Sequence, residues 1–229
     1  MAPKLHHLKN IEEFLTISIV NIEGGVIYRG VSDSSYDLIP SVGRWKGPKG
    51  SRNHYEQQLF EDFKNFAIGY LNYIPTTEWE WLFLAQHHGL PTRLLDWSSS
   101  PLIALFYALN SNSTKDYALY RAQFATSIRT TPENFLGSDP LKVKTTSQVY
   151  PSFVTQRAER QKSIFSIQPN PWTILEDSNP IDKFIFPAAS RRDGLRKINY
   201  YGISNSLLFP GLDSITKDIA FSKDVKLNY

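Results

Sequence analysis

The chain has 229 residues, 41% of them hydrophobic and 14% aromatic, which is enough apolar material for one large domain or two small ones. Its formal net charge of +3 is small and gives no strong case for a nucleic-acid-binding domain, which usually carries a basic stripe. The sequence has no cysteine. This excludes disulfides, thiolate metal sites and a cysteine nucleophile, and it fits a reducing compartment.

The first residues indicate neither export nor insertion into a membrane. Residues 1–10 are polar, include His6 and His7, and lack the apolar stretch of a signal peptide. No run approaches the roughly 20 apolar residues of a membrane helix. We therefore expect a cytoplasmic protein without a membrane partner.

The first half of the chain predicts helices around one short buried strand. Gly24 and Gly25 predict a turn, Gly89 is the expected C-terminal cap of a helix, and Ser100 with Pro101 is a typical helix start. In chain order we expect a helix at 11–20, a strand at 26–28 that ends at Arg29 and Gly30, a basic loop at 43–52, helices at 59–70 and 78–88, an extended segment at 92–97 and a central apolar helix at 102–109.

The second half predicts three strands and two helices. Strands are expected at 116–124, 163–167 and 183–186, helices at 191–201 and 210–221, a loop with a short helix at 126–149, and a tail at 223–229. Within the last helix, Ile215, Ile219 and Ala220 are expected to point inward. Because no repeat or low-complexity linker divides the chain, we expect one mixed α+β domain over 1–229. In it, a small central sheet packs with several helices, and residues 1–20 form a helical extension.

Residues 86–97, QHHGLPTRLLDW, are the most informative stretch of the sequence. They place two histidines, an arginine and an aspartate between apolar runs. Each of these groups needs a partner or contact with water, which an ordinary core segment does not supply.

Three groups of residues resemble the FRG domain, a family named for an aromatic-Arg-Gly motif. The resemblance follows the chain in the same order over nearly its whole length. Its segments are Tyr28-Arg29-Gly30 with Leu38-Ile39-Pro40-Ser41 and Arg44; Gln86 to Trp97 with Ser100-Pro101 and Ala104 to Ala108; and Arg157, Arg160-Gln161 and Phe165 with Gly202 and Leu208 to Asp213.

The order of these motifs is also similar to that of ADP-ribosyltransferases. Those enzymes have an arginine on the first strand, a serine-containing strand next and a catalytic glutamate later. The similarity implies a split sheet, NAD as the substrate, Arg29 on a phosphate or ribose, and Ser99 or Ser100 beside the nicotinamide. The glutamate's place falls at Gln161, with Glu159 two residues earlier, and this departure counts against transferase activity.

Arg29 is the first candidate from the residues themselves. A guanidinium after an apolar strand lies at a cleft edge, where its fork can hold a phosphate or carboxylate. Gly30 would let a ligand approach the backbone closely, and Tyr28 completes the motif. The structural alternative is an arginine that bonds loop carbonyls.

His87 and His88 are neighbours at a helix end, so at most one of them faces a site. We take His88 as the catalytic candidate, against the alternative that it only benefits from the helix dipole. Arg93 and Asp96 lie three apart on an extended segment and face opposite sides, so they pair with other groups. Asp96 could orient His88 or anchor Arg29, and Trp97 is either core or a stacking surface.

Two further polar groups have structural and functional interpretations. Ser98, Ser99 and Ser100 can cap a helix, and the same helix start can also receive a phosphate. The basic side chains Arg191, Arg192, Arg196 and Lys197 form one helix face, which is either solvated or binds an acidic partner.

The sequence thus leaves three functions open. The first is an NAD-using enzyme, an ADP-ribosyltransferase or NAD glycohydrolase, of the kind found among toxins and phage-defence effectors, with a protein or nucleic-acid acceptor. Its catalytic candidates are Arg29, His88, Glu159 and Gln161. Its cofactor-binding candidates are Tyr28, Gly30, Arg93, Asp96, Ser99 and Ser100, and no metal is expected. The second is a non-catalytic nucleotide- or peptide-binding module. The third is a metal-dependent hydrolase or nuclease using His87 or His88 with Asp96.

Overall fold

The structure is a computed structural model that describes residues 3–20, 25–130, 138–151 and 159–223. Its described strands are β1 (Lys4–His7), β2 (Ile27–Val31), β3 (Leu95–Ser98), β4 (Tyr117–Ala122), β5 (Ser127–Arg129), β6 (Ser147–Tyr150), β7 (Ser163–Ile167) and β8 (Asp182–Phe186). Its described helices are α1 (Ile11–Val20), α2 (Arg52–Ala67), α3 (Glu78–His87), α4 (Pro101–Leu109), α5 (Arg191–Tyr200), α6 (Asn205–Leu208) and α7 (Leu212–Ser222).

All eight of these strands belong to one mixed sheet in the order β1-β8-β4-β2-β3-β7-β6-β5. The pairs β1/β8 and β5/β6 are parallel, and the other neighbouring strands are antiparallel. The α+β class predicted from the sequence is therefore confirmed. At the centre, β2 and β3 pair at a single position, Tyr28↔Ser98.

The helices α1, α4 and α5 form the largest core with the sheet. Phe14 of α1, Phe106 of α4 and Ile198 of α5 are fully buried in it. The strands contribute Tyr28 and Phe184, whose rings meet Phe14 edge to face. Because α1 supplies two of the buried side chains, the N-terminal helix is an integral part of this core.

A second core lies between α2, α3 and the strands β6 and β7. Phe83 of α3 stacks on Phe165 of β7 with ring centroids 5.2 Å apart, and Phe60 of α2 is buried beside them. A capping box fixes the start of α3, since Thr77 accepts from the Glu80 backbone while the Glu80 side chain accepts from the Thr77 backbone.

Loops complete a third core on β2, β3 and β4. Trp97 and Tyr120 are buried there with Leu38 and Leu175. The Leu175 N–H donates to the Leu38 carbonyl at 2.8 Å, which ties the two covering loops together. None of the helices in the described ranges is long and apolar enough to cross a bilayer.

Some sequence expectations about individual elements are wrong. The segment 126–149 contains β5 and the start of β6, where only a loop and a short helix were expected; its residues 131–137 lie outside the described chain. The helix expected at 59–70 begins earlier, since α2 starts at Arg52 and buries Phe60, while Phe66 is 78% exposed and Tyr70, which lies beyond the end of α2, is 90% exposed. On α7, Ile215 and Ile219 are exposed and only Ala220 of the expected set is buried.

Candidate active site between β2 and β3

Arg29 links β2 to β3 beside their single paired position. Its Nη1 donates to the main-chain oxygen of Asp96 at 2.5 Å, and the same nitrogen lies 3.8 Å from the Asp96 carboxylate. The Arg29 side chain is 22% exposed and that of Asp96 59%. The guanidinium therefore spans the split between the two strands and stays accessible at its edge.

A short chain of hydrogen bonds holds Asp96 from the other side. Gln86, near the end of α3, donates from its amide to the Asp96 carboxylate at 2.8 Å and accepts a hydrogen bond from the Thr92 hydroxyl. The Ser41 hydroxyl in turn holds the Thr92 backbone: it accepts from the Thr92 N–H at 3.0 Å and donates to the Thr92 oxygen at 3.2 Å. The distinctive 86–97 segment thus folds into a support for Asp96.

The electrostatics around Arg29 favour an anion. Burial lowers the pKa of Arg29, the carboxylate of Asp96 raises it, and the positive charge of Arg44 lowers it again, so the pKa lies below its usual value. Arg44 is exposed, and it forms no ion pair with any described residue. A bound phosphate would offset both the desolvation of Arg29 and the repulsion between the two guanidinium groups.

The serine-rich end of β3 meets the late glutamine. The Ser98 hydroxyl donates to the main-chain oxygen of Gln161 at 2.8 Å, and the Ser99 N–H donates to the Lys162 oxygen at 3.2 Å. The Gln161 amide donates to the Leu208 carbonyl at 3.4 Å. Asp96 and Ser98 are two residues apart on β3. This strand therefore links the residue that holds Arg29 to the residue that binds the Gln161 backbone.

The turn that enters β7 has an unusual backbone. Lys162 has a φ of +48°, the one positive value at a non-glycine residue of the described chain, and its N–H donates to the Glu159 carbonyl at 3.0 Å. Such conformations cost free energy and cluster at functional sites. Glu159 is exposed on this turn, while Gln161 is partly buried. Arg157, part of the resemblance, lies outside the described residues.

Two residues of the aromatic-Arg-Gly motif, predicted as ligand contacts, have structural roles in the scaffold. Tyr28 is 8% exposed and packs edge to face on Phe14, with a pKa raised mainly by burial. A Cβ on Gly30 would lie 1.8 Å from the main-chain oxygen of Ala104. Gly30 therefore permits the close approach of α4, and not the approach of a ligand.

Arg93, predicted to bind a cofactor, has a structural partner. Its Nε and Nη2 donate to the two carboxylate oxygens of Glu56 at 2.7 Å and 2.6 Å, and both side chains are nearly buried. Its Nη1 reaches the Pro140 carbonyl at 3.5 Å. The Arg93 guanidinium is thus fully engaged inside the protein, where it connects the segment before β3 to α2.

The two histidines lie where α3 ends. His88 is the exposed C-cap residue, and its ring meets the His87 ring edge to face at 5.1 Å. The alternative in which Asp96 orients His88 is not formed, since the side-chain hydrogen bond of Asp96 is with Gln86. Within the described ranges no three His, Asp or Glu side chains form a group that could hold a metal ion.

Ser100 and the basic face of α5 have clear structural roles. The Ser100 hydroxyl accepts from the Ile103 N–H at 3.5 Å and so caps α4, while Ser99 is exposed. Arg191 is buried over the Tyr117 ring and donates to three main-chain carbonyls. Lys197 pairs with Glu12 and Asp193. The expectation of an open basic face is therefore wrong for these two side chains.

The sequence did not identify the partners of Asp96 and Arg93. Gln86, Thr92 and Ser41 hold Asp96 in place, and Glu56 neutralises Arg93. Gln86 and Thr92 lie inside the distinctive 86–97 segment, and Ser41 lies inside a segment of the family resemblance. Their positions in the sequence therefore pointed to the site, although their side-chain types alone did not.

Two cavities are lined by described residues away from this split. One, of about 350 Å³, lies at Thr126, Thr146 and Asp177. The other, of about 240 Å³, lies at Tyr73, Glu80 and Leu84. Arg29 lines neither of them.

Comparison with known proteins supports the resemblance read from the sequence. Residues 24–117 match the family model of the FRG domain. This segment includes Arg29, Gln86 and Asp96, whereas Gln161 lies beyond it. No curated protein and no solved structure matches the chain. The matched segment runs from the turn before β2 to the first residue of β4, and over this segment the chain is similar to the FRG domain.

Proposed function

We propose that this chain binds an NAD-type dinucleotide at the split between β2 and β3 and cleaves its nicotinamide–ribose bond. The observation that carries the proposal is the guanidinium of Arg29, which Asp96 holds across the split. Among the described residues, Arg29 uses one of its five N–H donors in a hydrogen bond. The remaining donors are available to the diphosphate of the dinucleotide.

The reaction needs a group that stabilises positive charge on the ribose. The bond between ribose C1′ and the nicotinamide nitrogen breaks, and nicotinamide leaves with the electron pair. Water or an acceptor nucleophile then attacks C1′ and gives up a proton. In our proposal Glu159, on the turn that Lys162 fixes, offers a carboxylate to the developing charge, and Gln161 bonds a ribose hydroxyl.

Chemistry of this kind suits a toxin or an effector in the conflict between bacteria and phages, since loss of NAD stops metabolism. The acceptor of the ADP-ribose would be a protein, a nucleic acid or water. His88, exposed beside the support of Asp96, would face the solvent side of the bound nucleotide.

A second function, a nucleotide-binding module without catalysis, is favoured by one observation. Gln161 carries no charge, and its amide already donates to the Leu208 carbonyl at 3.4 Å. If that hydrogen bond persists when the ligand binds, the Gln161 amide cannot donate it to a ribose hydroxyl. The split between β2 and β3 would then hold a nucleotide without cleaving it.

Incubation of the purified chain with NAD, followed by quantification of free nicotinamide, distinguishes the two functions. We expect release by the wild type, a large loss in Glu159→Gln and in Arg29→Lys, and normal release by Lys217→Ala, an exposed residue of α7. Calorimetric binding of NAD without nicotinamide release would support the binding module instead. Absence of both release and binding would overturn both functions.

A further inference from the structure

A dense set of cations lies between β2 and the first residue of α2. Within nine residues the chain carries Arg44, Lys46, Lys49 and Arg52, and between Asp37 and Glu56 it has no acidic residue. None of these four cations forms an ion pair with a described residue. The low net charge of the whole chain therefore conceals a local excess of positive charge.

The neighbouring loop does not neutralise this excess. Residues 168–175 contain no acidic side chain, and they pack directly against the basic loop. A Cβ on Gly43 would lie 1.9 Å from the Pro171 oxygen, and the Trp45 and Trp172 rings lie 6.5 Å apart. Glu56, the next acid along the chain, is already buried in its pair with Arg93.

Two buried donors on this surface have no acceptor. The Arg52 guanidinium lies over the Trp172 ring at 5.3 Å, and both Arg52 Nε and Trp172 Nε1 are buried without a hydrogen-bond partner among the described residues. Buried polar groups are normally satisfied, so two orphaned donors at one place point to an acceptor that binds there. The surrounding charge indicates that this acceptor is anionic.

The aromatic side chains at this surface favour one kind of anion. Trp45 stacks on Tyr55 at 4.1 Å and lies 6.5 Å from Trp172, whose ring lies under Arg52, so three rings lie in or against the segment that carries the four cations. Cations interleaved with aromatic rings are typical of surfaces that bind single-stranded nucleic acid, where phosphates meet the cations and bases meet the rings. In double-stranded nucleic acid the base faces are stacked inside the helix, so a duplex would contact only the cations of this surface.

We propose that this basic-aromatic loop, residues 44–52 with Tyr55 and Trp172, binds the backbone and bases of a single-stranded nucleic acid. Arg44 also connects this surface to the split, because its charge acts on Arg29. A strand bound on the loop would therefore lie next to the proposed nucleotide site. The binding itself needs no NAD, so it stands or fails independently of the proposed function.

Fluorescence anisotropy of a labelled single-stranded oligonucleotide, titrated with the full chain without NAD, tests the proposal. We expect binding that weakens with salt, and a loss of about tenfold in affinity in the double variant Lys46→Gln with Lys49→Gln. The slope of log affinity against log salt should become shallower by about 0.7 for each lysine–phosphate pair that the substitutions remove. The matched control, Lys217→Gln with Lys223→Gln, removes two exposed lysines elsewhere and should bind as the wild type does.

A second variant tests the orphaned donor. Trp172→Phe keeps a ring under Arg52 but removes Nε1, and it should weaken binding severalfold while the midpoint of thermal unfolding stays unchanged. RNA and DNA strands serve as separate arms, and duplex DNA should bind more weakly than either. Equal loss in the lysine control would overturn the proposal, as would unchanged affinity in Trp172→Phe. Equal or tighter binding of duplex DNA, polyglutamate or anionic lipid vesicles would overturn it too.

Discussion

The Arg29 guanidinium and the main-chain oxygen of Asp96 are 2.5 Å apart, so a side chain connects β2 and β3 beside the one position where their backbones pair. The same group that holds the scaffold also presents its remaining donors at the split. Because Arg29 has both roles, the site is best tested by substitutions that change the charge around Arg29 and keep its hydrogen bond to the Asp96 main-chain oxygen.

Asp96→Asn changes the charge beside Arg29 while keeping an oxygen that can accept from Gln86. Removal of the carboxylate makes the split more positive, so we expect tighter binding of ADP-ribose. An exposed charge pair is worth at most about 1 kcal/mol, which limits the gain to about fivefold. Calorimetric titration measures it. Weaker binding would instead mean that Asp96 itself contacts the ligand.

Gly30→Ala should destabilise the fold, because its Cβ would meet the backbone of α4 at 1.8 Å and a backbone cannot rotate away. We expect a loss of about 1–3 kcal/mol or more in the free energy of unfolding, measured by urea denaturation. The matched control is Gly69→Ala, where a Cβ meets nothing within 4 Å. Equal stability of the two variants would contradict the packing role of Gly30.

Glu56→Gln should be strongly destabilising, since it leaves the buried Arg93 charge without its partner. Breaking such a pair costs about 3–5 kcal/mol, whereas the double variant Glu56→Leu with Arg93→Met should recover much of that loss. On the same helix, Glu61→Gln removes an exposed carboxylate that pairs with Lys64 and should cost no more than about 1 kcal/mol. Urea unfolding of the three proteins ranks them, and a different ranking would refute the interior role of Arg93.

Asp182 should give the protein an acid-sensitive clamp between β1, β8 and β4. Burial alone would raise its pKa, but hydrogen bonds from His6 and Arg121 outweigh that effect and hold the pKa below its usual value. A carboxyl with a lowered folded-state pKa stabilises the fold above its unfolded pKa of about 3.9, and this stability is lost as the pH falls through the folded value.

Asp182→Asn should therefore lower the free energy of unfolding at about pH 7, by roughly 1.5–3 kcal/mol for the charged hydrogen bonds that it removes. Below about pH 4 the variant and the wild type should converge, because the wild type loses the same contribution there. Urea unfolding across this pH range measures the difference. A constant difference at every pH would show that the Asp182 carboxylate is not the group that titrates.

Local signals in the sequence were sufficient for several elements. The Ser100 cap and Pro101 begin α4 as expected, and Gly89 and Gly202 end α3 and α5 in the left-handed conformation that glycine favours. These features depend on a few neighbouring residues. The α+β class followed from the same kind of pattern.

Features that depend on distant residues were not predictable in the same way. The strand β1 has little apolar alternation, and its partner β8 lies about 180 residues later in the chain. Arg29 and Asp96 were both singled out, but the sequence left open whether Asp96 holds Arg29 or His88. The sequence predicted that Gly30 lets a ligand approach the backbone closely, whereas in the structure the backbone of α4 lies against Gly30.

Calorimetric titration of the wild type and of Arg29→Gln with NAD, ADP-ribose and adenosine tests the central claim most directly. If Arg29 holds the diphosphate, NAD and ADP-ribose bind the wild type and adenosine binds far more weakly. Arg29→Gln, shown to be folded by its circular dichroism spectrum, then loses binding of NAD and ADP-ribose. If Arg29→Gln binds NAD as tightly as the wild type does, or if adenosine binds as well as NAD, the split between β2 and β3 does not bind the diphosphate.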